Sequence, residues 1–162
     1  MRPRTAMPAI AAVLFAMTLT AAAVAENKSI TYVVNTGTTL SKVNRASDQP
    51  DHKVVSTLRR GMTSSGDRDW DGAAFVNYGT SDFSGGTGTV SGFTFRTHRN
   101  GDQTYYLYQG RLKVVGEGDP PLTVGEGTVE LVGGTGKFAK AKGSGTWASE
   151  KGQSTIKLDL EY

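Results

Sequence analysis

Three aspartates alternate through "DRDWDG", Asp67, Asp69 and Asp71, and then meet Gly72. That is the first half of a D-x-D-x-D-G calcium loop, in which carboxylate oxygens gather round a hard cation and the glycine allows the sharp turn. The second half fails. Counting Asp67 as position one, position twelve is Tyr78, where a bidentate glutamate is required, and no helical pattern flanks the stretch. It therefore reads as an acidic, solvated turn leading into a strand, with Trp70 tucked against the fold. No metal is favoured, and weak calcium binding by the three aspartates is the alternative. The two histidines, His52 in "SDQPDHK" and His98 beside Asn100-Gly101, both read as surface side chains. With no cysteine and no clustered histidine, a zinc site lacks ligands. No G-x-S-x-G elbow supports a serine nucleophile. No catalytic residue is assigned.

"VELVGGTGKFAKAKGSGTW", Val129 to Trp147, raises the question of a phosphate loop. A Walker loop needs a glycine five positions before its Gly-Lys pair and Ser or Thr after the lysine. Here Leu131 stands five before Gly136, and Phe138 follows Lys137. The dinucleotide fingerprint fails as well, because Ala139 stands where the third glycine belongs. The glycines are better read as a β-corner, with Phe138 plugging an apolar site and the lysines on its wet side.

The aromatics suggest a different chemistry. Tyr105, Tyr106 and Tyr108 cluster ahead of Arg111. On a strand, Tyr106, Tyr108 and Leu112 share one face, and Tyr105, Leu107 and Arg111 the other. Tyr106, Tyr108 and Trp147 are the candidate ligand contacts, if the interior they face is hollow. A core filled by side chains is the competing reading.

Eight strands are predicted to position these residues: 30–35, 53–60, 73–79, 88–97, 103–115, 126–132, 143–149 and 154–162. The last is the clearest, with Ile156, Leu158, Leu160 and Tyr162 alternating with polar residues. Asn100-Gly101 predicts a type I′ hairpin, and "TGKFAKAK" about two helical turns. At Gly92 the apolar parity switches from Val90 to Phe93 and Phe95. A one-residue bulge there would turn all three apolar side chains inward, and Gly110 likewise fits a bulge or barrel corner. Gly-Gly-Thr-Gly occurs at Gly85–Gly88 and again at Gly133–Gly136, either a faint duplication or two corners with the same steric needs. Short strands with hairpin links predict an all-β fold, an eight-stranded antiparallel barrel, since closure removes aggregation-prone edges. A two-sheet sandwich is the alternative.

The N-terminus has a basic start at Arg2 and Arg4, an uncharged small and apolar run from Ala9 to Ala25, and a small-x-small end at Ala23–Ala25. This is the pattern of a signal peptide over 1–25, leaving 26–162 as a single domain, secreted or periplasmic, with no membrane span after cleavage. Two of the 18 basic residues belong to that start, and the rest nearly balance the 15 acidic ones, so no argument for nucleic acid remains. Without cysteines, stability outside the cell must come from packing.

"VGGTGKFAKAKGSGTW", with "YYLYQGRLKVV" and "GEGTVELV" before it, resembles the allene oxide cyclase/dirigent-like barrel superfamily, here as a bacterial secreted member. The matching motif residues are Gly133, Gly134, Thr135, Gly136, Phe138 and Gly143. The resemblance implies an eight-stranded barrel with an apolar cavity, assembly as trimers, and work without a cofactor. Two functions follow as expectations. One is an exported barrel that binds an apolar small molecule. The other is a cofactor-free isomerase, cyclase or dirigent-like enzyme acting on a reactive small molecule. Glu130, Asp159 and Glu161 fall on predicted outward positions, which leans toward the non-enzyme, and an inward carboxylate or arginine would argue the other way.

Overall fold

The computed structural model describes residues 27–118, 122–150 and 152–161. The signal peptide expected over 1–25 lies outside them. Eight strands follow one another: β1 Asn27–Arg45, β2 Lys53–Ser65, β3 Ala74–Ser84, β4 Thr87–Thr97, β5 Gln103–Gly116, β6 Leu122–Gly134, β7 Lys142–Glu150 and β8 Gln153–Glu161. Each pairs antiparallel with the next, and β1 closes on β8 to complete a barrel. The expected barrel is present.

The first strand is far longer than its sequence pattern suggested. Residues 27–34 pair with β8, whereas 32–45 pair with β2, so beyond Val34 the strand has β2 on one side only. Polar and charged residues (Ser41, Lys42, Asn44, Arg45) dominate that half-open edge, which suits an edge that must not recruit another strand.

Successive antiparallel strands sort the connections to two ends. One end carries the β2–β3, β4–β5 and β6–β7 loops, the other the β1–β2, β3–β4, β5–β6 and β7–β8 loops. The first end is closed by the main core. Ile30, Tyr32, Leu131, Leu158 and Leu160 point in from the strands, and Trp70, Phe138 and Ala141 enter from two of the loops.

Three local expectations are corrected. The β4 register runs without a shift through Gly92, on both its β3 and β5 sides, so there is no bulge. Parity therefore continues from Val90 through Gly92 and Thr94 to Arg96, and Phe93 and Phe95 face out. There they meet Tyr78 and Tyr105 edge-to-face. Gly110 is likewise in register; the irregularities in β5–β6 lie at Tyr105/Tyr106 and Val114/Gly116. The β4–β5 turn closes through Gly101 N–H to His98 O at 2.9 Å, so its central pair is Arg99-Asn100 rather than Asn100-Gly101. Gly101 follows with φ 88°.

The two Gly-Gly-Thr-Gly copies have different jobs. Gly85 and Gly86, both at positive φ, make the two-residue β3–β4 turn between paired Ser84 and Thr87. Gly133 and Gly134 lie in β6 at the opposite end, and Gly136 opens a single 3-10 turn, Gly136–Phe138, where two helical turns were expected.

Candidate functional site

The "DRDWDG" loop serves its tryptophan. Asp67 accepts the Trp70 and Asp71 amides through its carbonyl at 3.1 and 2.9 Å, and its carboxylate accepts the Asp69 amide at 3.0 Å. Trp70 is thereby delivered to the barrel axis with no exposure, stacked on Tyr32 at 5.3 Å and edge-on to His98, Tyr106 and Phe138. The three carboxylates diverge to three cations. Asp67 pairs with Lys28, Asp69 with Lys137 at 2.5 Å, and Asp71 with Arg99 at 3.2 Å. Lys137 holds the Asp69 carboxyl below its ordinary value. Among the described residues no three His, Asp or Glu side chains converge as a cation site.

The glycine-rich motif completes the same end. Phe138 is fully buried, tilted on His98 at 4.4 Å. A Cβ at Gly134 would approach Phe138 Cβ to 2.7 Å, and one at Gly136 would strike the Asp102 carboxylate at 1.8 Å. Thr135 Oγ1 accepts the Gln103 amide at 2.8 Å, and a Gly143 Cβ would collide with Asp159 O and Leu160. These six motif residues are floor, not site.

His98 was expected at the surface and is instead buried, 4% exposed. Its ring bridges Asp69 O at 2.8 Å and Thr104 Oγ1 at 3.0 Å. Burial keeps it neutral, pushing its pKa below 6.5. Its burial follows the even-numbered parity that turns Val90, Thr94 and Arg96 inward along β4. His52 does lie at the surface, held between Asp48 at 2.7 Å and Asp82 at 2.8 Å, which raise its pKa.

Above this floor the lumen is hollow, with a cavity of about 120 Å³. All three candidate contacts, Tyr106, Tyr108 and Trp147, line it, and sequence parity had placed the two tyrosines on one face. Glycines explain how two large rings leave room. Cβ atoms at Gly79 and Gly92 would come within 2.3 and 2.4 Å of Tyr108 Oη, so that ring lies against the bare backbone of β3 and β4. Trp147 lies likewise over Gly110 and Gly127, its indole N–H donating to Gln109 O at 3.1 Å. Gly92 and Gly110 thus admit aromatic rings to the wall.

The polar members of the lumen form two groups. Tyr108 donates to Asn77 Oδ1 at 3.2 Å, and Asn77 Nδ2 donates to Thr94 Oγ1 at 2.8 Å. Burial raises the Tyr108 pKa against the pull of Asn77 and Arg59. Deeper, Arg96 is 2% exposed and donates from Nη1 to Tyr32 Oη at 3.0 Å. Its guanidinium stands 4.3 Å from the Tyr32 ring centre and 5.1 Å from that of Tyr106. Tyr106 Oη faces Arg96 and Thr104 without closing a hydrogen bond to either. Burial raises both Tyr32 and Tyr106, so both stay protonated.

Sequence reasoning missed Arg96, Tyr32, Arg59, Asn77 and Thr94. For Arg96 and Thr94 the signal existed: unbroken alternation from Val90 puts both inside. Glu130, Asp159 and Glu161 are exposed, as expected. Among the described residues the lining includes Arg59 and Arg96 and no carboxylate.

No family model matches the chain, and no curated protein matches it. Among solved structures, a pterocarpan synthase dirigent protein is similar at a TM-score of 0.46 and 16% identity, over 91% of this chain and 94% of that one.

Proposed function

We propose that this protein binds an apolar small molecule inside its barrel and works outside the cytoplasm after losing residues 1–25. One observation carries the reading. Aromatic side chains that would fill the lumen are instead packed against glycine backbone at Gly79, Gly92, Gly110 and Gly127, keeping about 120 Å³ open. A cavity near 150 Å³ admits a benzene ring, so the occupant is a single ring or a short chain. Val34, Val129, Ile156, Tyr108 and Trp147 give it apolar walls. Exposed Glu130, Lys157 and Asp159 on β6 and β8 support a barrel surrounded by water rather than lipid.

Arg96 supports a second reading, that of a cofactor-free, dirigent-like barrel steering a reactive intermediate. A buried guanidinium would stabilise developing negative charge. Among the described residues the lining holds no carboxylate or histidine, and its buried tyrosines have raised pKa values. The nearest imidazole, His98, lies outside the lining with its ring nitrogens engaged by Asp69 O and Thr104 Oγ1. Binding is therefore the primary reading. A homo-oligomer, a trimer by the sequence resemblance, is supported by the outer face of β3–β5, where Tyr78 (49%), Phe95 (40%) and Leu107 (48%) stand exposed.

Native mass spectrometry of protein from its own host, beside a Thr94→Phe variant with a filled lumen, tests both proposals. The expected result is a small retained mass lost in the variant, together with the subunit count. Equal retention by both proteins would refute the lumen as the site.

A further inference from the structure

Among the described residues, Arg96 is the only Lys, Arg, Asp or Glu that is buried. A guanidinium has five N–H donors in its plane. One meets Tyr32 Oη; Nε has no partner, and no described carboxylate forms an ion pair with it. Tyr32, Trp70 and Tyr106 supply ring faces 4.3–5.4 Å away. Ring faces favour the charge, but they accept nothing from the N–H groups along the guanidinium edge. The Tyr106 hydroxyl next to it is also buried and unpartnered. Both side chains line the cavity, whose other charged lining residue is Arg59. A buried cation left without an anion is costly, so an isolated one at the bottom of a lumen implies that its counter-charge arrives with the ligand.

We propose that the closed end of the lumen is a carboxylate site and that the ligand is a small organic acid carrying one ring or a short apolar chain. Arg96 donates charge-assisted hydrogen bonds to the carboxylate and Tyr106 Oη donates another, while Arg59 adds positive potential nearer the solvent. The apolar body of the acid then lies between Tyr108 and Trp147. This deepens the lumen-binding reading above and rests on it.

Benzoate and its neutral counterpart benzamide are titrated into the protein, read through the nitrogen-attached proton signals of Arg96 Nε and Trp147 Nε1. The expected result is benzoate binding about ten-fold or more tighter than benzamide, with saturable shifts at both signals. R96Q should bring the two affinities together. Y106F, which keeps the ring and so protects the test against a misfolded R96Q, should weaken benzoate about five-fold or more and benzamide, whose carbonyl accepts only a neutral hydrogen bond, by less. Equal affinities that shift Trp147 would overturn the carboxylate site and leave the lumen reading standing. Silence at Trp147 with both compounds would overturn the two together.

Discussion

Tyr106→Phe should make the ligand-free protein more stable, and Tyr32→Phe should make it less so. The substitutions are chemically identical and the rings are neighbours. Tyr106 is 1% exposed and its hydroxyl faces Arg96 and Thr104 without closing a hydrogen bond, so its desolvation is only partly offset. Phenylalanine keeps the ring contact with Trp70 at 6.1 Å and the guanidinium at 5.1 Å. An unsatisfied buried polar group costs about 1–3 kcal/mol; the low end, about 1 kcal/mol, applies where a cavity can hold water. Tyr32 Oη is the acceptor of the Arg96 hydrogen bond at 3.0 Å. Removing it leaves a buried cation with no acceptor, a loss of about 1.5–3 kcal/mol. Urea unfolding followed by circular dichroism and tryptophan fluorescence would read both, and a barrel of this size should shift in Tm by about 3–5 °C per kcal/mol. If both variants move the same way, or Tyr106→Phe loses more than about 1 kcal/mol, the unpaired-donor picture of the lumen floor is wrong.

Phe138→Ala should cost about 3–5 kcal/mol, because the ring is fully buried against Trp70 and His98, while Phe95→Ala on the outer face should cost under about 1 kcal/mol. Comparable urea midpoints for the pair would contradict the assignment of the glycine-rich stretch as the barrel floor. Gly92→Ala places a Cβ 2.2 Å from Tyr78 O and 2.4 Å from Tyr108 Oη, so it should destabilise by about 1–3 kcal/mol; a neutral effect would mean that Tyr108 does not lie on that wall. The two histidines should titrate on opposite sides of 6.5 when followed by proton NMR. Burial lowers His98, so its stabilising contribution is complete above the unfolded value and is lost as pH falls through the folded one. Asp48 and Asp82 raise His52, so its contribution is complete below 6.5 and is lost as pH rises through the folded value; the reverse order of titration would refute both environments.

Much of the barrel is legible in residue alternation. The β8 pattern, the β5 faces carrying Tyr106 and Tyr108, and the outward carboxylates follow from period two alone. The upper half of β1 is not legible, because "TGTTLSKVNR" pairs only with β2 and has no apolar face to betray it. The floor was hidden for a different reason. Phe93 and Phe95 look like core and Arg96 like surface, and only the unbroken register shows the opposite. Hydrophobicity ranks which side chains are ordinarily buried; it cannot see an aromatic cluster set on an outer wall or an arginine set within a lumen. Trp70 was expected against the barrel, yet its loop inserts it into the axis. Three aspartates that resemble a calcium half-loop tie that insertion to Lys28, Lys137 and Arg99.

The most direct test of a ligand-binding lumen is a titration with benzyl alcohol, a neutral single-ring probe, followed by two-dimensional proton–nitrogen NMR. A ligand seated in the lumen should give saturable shifts at the Trp147 indole N–H and at the amides of Tyr108, Val129 and Ile156. Shifts confined to Tyr78, Phe95 and Leu107 on the outer wall, or none that saturate, would contradict it.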